Sequence, residues 1–354
     1  MLDRGISLAI SLVVFSLSQV GTMIVTMVLT RVVDKIQDKN KLVQSAFVLR
    51  IILIGAMFFT RNPIVFAVLF IAHQLASATN FLFEGMIAQW SADKGLVFSR
   101  LRFFGSAGFS VGGFITTGIV VLTGDLNYIL LFIFFVNLFN LLGMVKAPVD
   151  LPPPPKPNEK QKTTVKAKHK ALIFLGSSVM AFPNSFGMVL NYHYRSSFFL
   201  SYEEAIFFAG VAIFLGSFLA ELIAFFSVDK LISMFTAQKI IMAGMVMSFI
   251  RWSVAAFSTN HFMFTFTYFF HGLSFVPLYI GILHLIKLEI GNDHTSKLVM
   301  QFIIFSAMLN IVWVQIANVV LNFFTANVLL LMYAVGSVIV GSMFYIFYMK
   351  GSRM

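Results

Sequence analysis

The chain has 354 residues, 59% of them hydrophobic and 11% charged, with 43 Phe and no Cys, whereas an ordinary soluble domain carries roughly 25% charged residues. At a mean hydropathy of +0.90 there are too few polar side chains to cover a water-facing surface, which excludes a soluble protein and points to a polytopic one facing lipid. The lack of Cys excludes disulfides, thiolate metal sites and cysteine nucleophiles, and the net charge of +11 follows membrane topology rather than nucleic-acid binding.

A window of about 20 apolar residues, enough to cross a bilayer core, predicts eleven membrane helices near 5–30, 43–60, 63–88, 103–123, 127–146, 171–193, 204–228, 238–257, 262–286, 298–324 and 326–349. Long unbroken apolar runs, rather than short alternating segments, predict an all-α integral membrane bundle and not a barrel. When alternate loops are assigned to one side, only Arg4, Arg61 and Arg195 of the 25 Lys and Arg fall on the other, and Arg50 and Arg251 lie inside spans. The basic side is cytoplasmic and holds the C-terminus. An odd span number puts the N-terminus outside, although no signal peptide leads the first span. Two expectations stand here: an eleven-span protein, or a twelve-span one whose first helix is absent.

Residues 147–170, with four consecutive prolines and many lysines, form the single long polar stretch and read as an extended cytoplasmic linker. The linker separates an N-terminal half of five spans (1–146) from a C-terminal half of six (171–354). An internal repeat supports this division. Val33-Asp34-Lys35 follows the first span and Val228-Asp229-Lys230 the seventh, and each precedes a span with an intramembrane arginine, Arg50 or Arg251. If the seventh span repeats the first, the first is the second helix of a six-helix half. Asp-Lys pairs also occur at helix ends for local reasons.

Polar residues inside spans are costly and mark candidate sites. In the third span His73, Ser77, Asn80 and Glu84 recur at one-stripe spacing, which suits a cavity wall or interhelical packing. Arg102, Ser106, Phe109 and Gly113 repeat that spacing in the fourth; Arg102 reads as a cavity ligand or as a snorkelling anchor. Asn184 and Asn191 share a face of the sixth span. Glu221 lies in the seventh, Arg251 in the eighth, and His271 and Ser274 in the ninth. A lone His271 suits a core histidine, but carboxylate, guanidinium and imidazole in one half are also the parts of a proton relay. There is no phosphate-binding G-x-x-x-x-G-K-[ST] loop, and neither metal-ligand spacing nor a nucleophile–base pair stands out, so no cofactor, no metal and no enzyme activity are expected.

Residues 99–109, Ser-Arg-Leu-Arg-Phe-Phe-Gly-Ser-Ala-Gly-Phe, resemble the R-x-R-aromatic-x-G-S-x-G-F signature of a major facilitator superfamily branch with lactose-permease-like, nucleoside-symporter and phenylpropionate-permease-like members. Ile250-Arg251-Trp252 and His271-Gly272-Leu273-Ser274-Phe275 are similar to motifs of the phenylpropionate-permease-like members. The resemblance spans nearly the whole chain from the family's second helix and implies a bundle of two pseudo-repeated halves. It further implies that Glu84 and Arg102 hold a sugar with Phe109 as its stacking surface, that Arg251 serves proton coupling, and that Glu221 matches a glutamate of the phenylpropionate-like members. Asp34-Lys35 and Asp229-Lys230 then correspond to the gating-loop motif without its glycine. The coupling carboxylate of the lactose permease on the helix of His271, and its aspartates where Asn184 and Asn191 stand, have no counterpart.

The resulting expectation is a monomeric proton symporter in a bacterial plasma membrane, importing a small polar organic solute, with an oligosaccharide ranked first. His73, Asn80, Glu84, Arg102, Phe109, Asn184 and Asn191 are the expected substrate residues, Glu221, Arg251 and His271 the coupling group. The alternatives are a nucleoside or aromatic-acid symporter, or a non-transporting truncated member.

Overall fold

The computed structural model describes residues 8–32, 36–125, 127–149, 167–187, 189–290 and 295–350. Among them, ten helices are long and apolar enough to cross a membrane, and a bent pair makes an eleventh if taken as one span. No strand occurs among the described residues. Asp34, Lys35 and most of the 147–170 linker lie outside the described residues.

Contacts group the chain into two compact units, residues 1–96, 122–164 and 292–308 in the first and 97–121, 165–291 and 309–354 in the second. These units cross the boundary that the linker marks, because each half gives up part of a helix to a partner from the other.

The first unit contains α1 (Leu8–Val32), α2 (Lys39–Phe59), α3 (Pro63–Ser77), α4 (Thr79–Asp93), α6 (Asn127–Lys146) and α14 (Thr295–Phe323) as far as residue 308. Asp38 starts α2 by accepting from the Lys41 amide, a bond that holds its carboxyl below the usual carboxylate range. Pro63 opens α3 behind an Asn62 cap, where its missing N–H costs nothing. The predicted third span breaks at Ala78, so the stripe from His73 to Glu84 is carried by two helices. Ser77 and Thr79 hydroxyls donate to the Gln74 and Ala76 carbonyls beside the break, keeping its backbone satisfied within the bilayer. Val43, Phe47, Leu82, Met86, Met144 and Met300 form one core cluster, and Ile54, Met57 and Phe66 another.

The second unit contains α5 (Phe98–Thr123) through residue 121, α7 (Ala167–Gly187), α8 (Leu190–Phe198), α9 (Tyr202–Ile213), α10 (Glu221–Phe235), α11 (Ala237–Ala256), α12 (His261–Phe266), α13 (Phe269–Ile290), α14 (Thr295–Phe323) from residue 309, and α15 (Ala326–Phe344). A capping box of Ser201 and Glu204 opens α9, and a π-helical turn, Phe214–Ala220, joins it to α10. The predicted sixth span, 171–193, is instead α7 and α8 bent by 61°. Pro183 inside α7 supplies no amide to the helix and crowds the preceding turn. α5 joins this unit through Phe103 on Phe218 and Phe114 on Phe214, with ring centroids 6.0 and 5.6 Å apart. Trp252 and Tyr333 are fully buried, and Tyr333 stacks on Phe182 at 5.0 Å. The Tyr333 hydroxyl lies 2.8 Å from Ser185 Oγ, as a buried polar tip requires.

Candidate functional site

Within the second unit a half-open cavity of about 290 Å³ is walled by Arg102, Gly105, Ser106 and Phe109 of α5, Met180 and Asn184 of α7, Ser217 of the π turn, Glu221 of α10, and His271 and Phe275 of α13. Helical spacing explains the α5 wall: Arg102, Ser106 and Phe109 are one and two turns apart, and Arg102 Nη1 donates to Ser106 Oγ over 3.2 Å.

Close backbone packing brings α10 and α13 together at the cavity floor. A Cβ on Gly216 would lie 2.8 Å from the Tyr268 carbonyl, and one on Gly272 would meet the Glu221 amide and Ala220. Small residues permit this approach where lipid gives no hydrophobic drive for helix association. The result is that Glu221 Oε1 lies 3.7 Å from His271 Nε2.

Behind His271, Arg251 is 1% exposed, its guanidinium 4.3 Å from the Trp252 ring and 4.7 Å from the Tyr268 ring. These faces stabilise a desolvated cation. Arg251 Nη1 is 3.0 Å from His271 Nδ1. A guanidinium carries donors only, so Nδ1 accepts, and the proton of a neutral His271 sits on Nε2 facing Glu221. Glu221 in turn is surrounded by the Ser106 and Ser217 hydroxyls and the Arg102 guanidinium, while its Oε2 is buried without a hydrogen-bond partner. Arginine, imidazole and carboxylate thus form one file from the protein interior to the cavity.

Of the residues expected from sequence, Arg102, Phe109, Asn184, Glu221 and His271 meet at this cavity, and Arg251 stands behind it. Asn191 is on α8, half-buried, with its Oδ1 unpartnered. His73, Asn80 and Glu84 belong to the first unit; Asn80 Oδ1 there accepts from Arg50 Nη1 at 2.8 Å. Asp229 and Lys230 are exposed on α10, and Asp229 accepts from Ser99 Oγ at the start of α5. Ser217, Phe275 and Met180 were missed. Ser217 and Phe275 each lie one turn from a named residue, Glu221 and His271, a spacing that would have found them. Ser274, chosen from sequence, instead bonds back to the His271 carbonyl. No group of three or more His, Asp or Glu among the described residues could hold a metal ion.

A multi-pass helical membrane bundle with an intramembrane cavity walled by ionisable side chains has the make-up of a solute transporter. The chain belongs to the MFS_1 like family, whose profile matches residues 1–309. Its fold is that of major facilitator transporters. The structure of the nucleoside transporter NupG superposes with a TM-score of 0.63 at 15% identity, covering 94% of this chain and 88% of that one. A bacterial homologue of the iron transporter ferroportin, in an outward-facing state, gives 0.66 at 15%, covering 98% and 91%. The major facilitator transporter FucP, in the outward conformation, gives 0.65 at 12%, covering 96% and 90%. A comparison with curated proteins finds no match.

Proposed function

We propose that the protein is a secondary active transporter that imports a small polar organic solute together with protons by alternating access. It acts as a monomer in a bacterial plasma membrane, its C-terminus is cytoplasmic, and the 147–170 linker joins its two halves. The observation that carries this reading is the file Arg251–His271–Glu221 opening on a cavity that also holds Arg102. A carboxylate beside a neutral imidazole can take up and release a proton, and the neighbouring guanidinium makes its charge depend on what fills the cavity.

A cavity of about 290 Å³ is at the lower end of the roughly 300–1,000 Å³ span of small-molecule sites, which suits one sugar unit. Hydroxyls can accept from Arg102 and Asn184 and donate to Glu221, so an oligosaccharide is the first reading, with Phe109 under the ring. A nucleoside is the second, favoured by the Phe109 and Phe275 rings among the lining residues, against which a base can stack.

Uptake of labelled sugars and nucleosides into proteoliposomes under an imposed proton gradient tests the reading. Accumulation should collapse with a protonophore, and Glu221→Gln should abolish it while solute exchange continues. Accumulation in Glu221→Gln equal to wild type would refute the coupling role.

A further inference from the structure

The internal repeat extends beyond its loop motif. Gly21-Thr22, Thr26 and Val33-Asp34-Lys35 recur at the same separations as Gly216-Ser217, Glu221 and Val228-Asp229-Lys230. Both glycines sit at tight crossings with the histidine-bearing helix of their own unit. A Cβ on Gly21 would strike Leu75, two residues after His73, and one on Gly216 would lie 3.3 Å from His271 Cβ. The following span supplies an arginine in each repeat. Arg251 reaches His271, and Arg50 acts electrostatically on His73.

The repeats differ at the position of the carboxylate. Where the second has Glu221, the first has Thr26, whose hydroxyl is taken up by the Thr22 carbonyl at 2.7 Å. Arg50 therefore keeps its permanent charge in mid-span without a carboxylate partner among the described residues. It lies on the buried face of α2, in register with Val43, Phe47, Ile54 and Met57. Its Nη1 is bound to Asn80 Oδ1, but Nε is buried without a partner, as is Nε2 of His73. Arg50 and His73 are half-buried and Asn80 is exposed, so the cluster borders the surface of its unit.

We propose that Arg50, His73 and Asn80 form an anion site, which takes a carboxylate group in the role that Glu221 plays in the other repeat. A carboxylate accepts from the guanidinium, from His73 Nε2–H and from the Asn80 amide. Its two oxygens match the planar fork of arginine as a spherical halide does not. The same chemistry serves the carboxyl group of a transported solute or a free anion held in place.

The test titrates the purified chain in nanodiscs with sodium benzoate and sodium acetate against sodium chloride at equal ionic strength, reading the melting temperature. The carboxylates should raise it saturably and chloride should not. Arg50→Gln and His73→Gln should each weaken the apparent affinity at least tenfold, and Arg61→Gln, at an exposed position of the same unit, should leave it unchanged. Arg50→Lys guards against a folding defect: it should melt as the wild type does without ligand, yet bind more weakly. Labelled benzoate and acetate in proteoliposomes separate the sources, since a transported carboxylate accumulates and a held one does not; either result follows from an occupied site. No saturable carboxylate effect, an equal effect of chloride, wild-type affinity in both Arg50→Gln and His73→Gln, or an equal loss in Arg61→Gln would overturn the proposal.

Discussion

Gly272 of α13 lies against the backbone amide of Glu221, so close that a single added carbon would occupy the same space as the Glu221 and Ala220 backbone. Neither atom belongs to a side chain that can swing away. The contact sets the distance between the Glu221 carboxylate and His271 on the same two helices.

Gly272→Ala should accordingly cost about 1–3 kcal/mol, the usual range for overpacking a close contact, and separate Glu221 from His271. The melting temperature should fall and proton-driven accumulation with it. Gly118, which has nothing within 4 Å of an added Cβ, is the control: Gly118→Ala should melt as the wild type does.

Arg251 holds one tautomer of His271 in place from between two aromatic faces. Arg251→Lys keeps a positive charge but loses the planar stacking, worth up to about 2 kcal/mol where desolvated. Its accumulation ratio under a proton gradient should fall on the order of tenfold, equivalent to ~1.4 kcal/mol, while counterflow of unlabelled against labelled solute persists. Equal loss in both assays would show Arg251 to be structural.

Arg102 is the cavity's own cation. Arg102→Ala should abolish solute binding, and Arg102→Lys should fail too, because an ammonium lacks the fork that can address Ser106 and a ligand together. Arg100→Ala, on an exposed position of the same turn, should bind as wild type. Binding by Arg102→Ala at wild-type affinity would make Arg102 an anchor at the membrane surface.

Ser99 of α5 and Asp229 of α10 are joined by one hydrogen bond, which ties a helix of the first sequence half to one of the second. Ser99→Ala and Asp229→Asn should be non-additive in a double-mutant cycle, with a coupling of roughly 0.5–1.5 kcal/mol as expected for one such bond. Both should raise the rate at which these ends of α5 and α10 part, read by fluorescence from probes on the two helices.

The absence of native cysteine makes single-cysteine labelling unambiguous. Lys239, in the first turn of α11, and Asn260, which caps α12 four residues past the other end of α11, are both exposed. In intact cells an impermeant maleimide should modify Asn260→Cys and spare Lys239→Cys until the membrane is opened. The reverse pattern would invert the topology.

The spans were readable from the sequence because the requirement for about 20 apolar residues acts on each segment separately, whatever its neighbours. One-helix relations were readable for the same reason: 102, 106 and 109 share a face wherever α5 packs. Relations between helices left no comparable mark. Arg251 and His271 could be named as ionisable residues in spans, but their contact depends on the axial shift and rotation of α11 against α13. Lipid tails are as apolar as Leu, so periodicity does not tell a lipid-facing side from a packed one. The bend between α7 and α8 and the π turn before Glu221 likewise arise from local backbone geometry under packing. Ser217 and Phe275 became cavity walls only because Gly216 and Gly272 let two backbones meet.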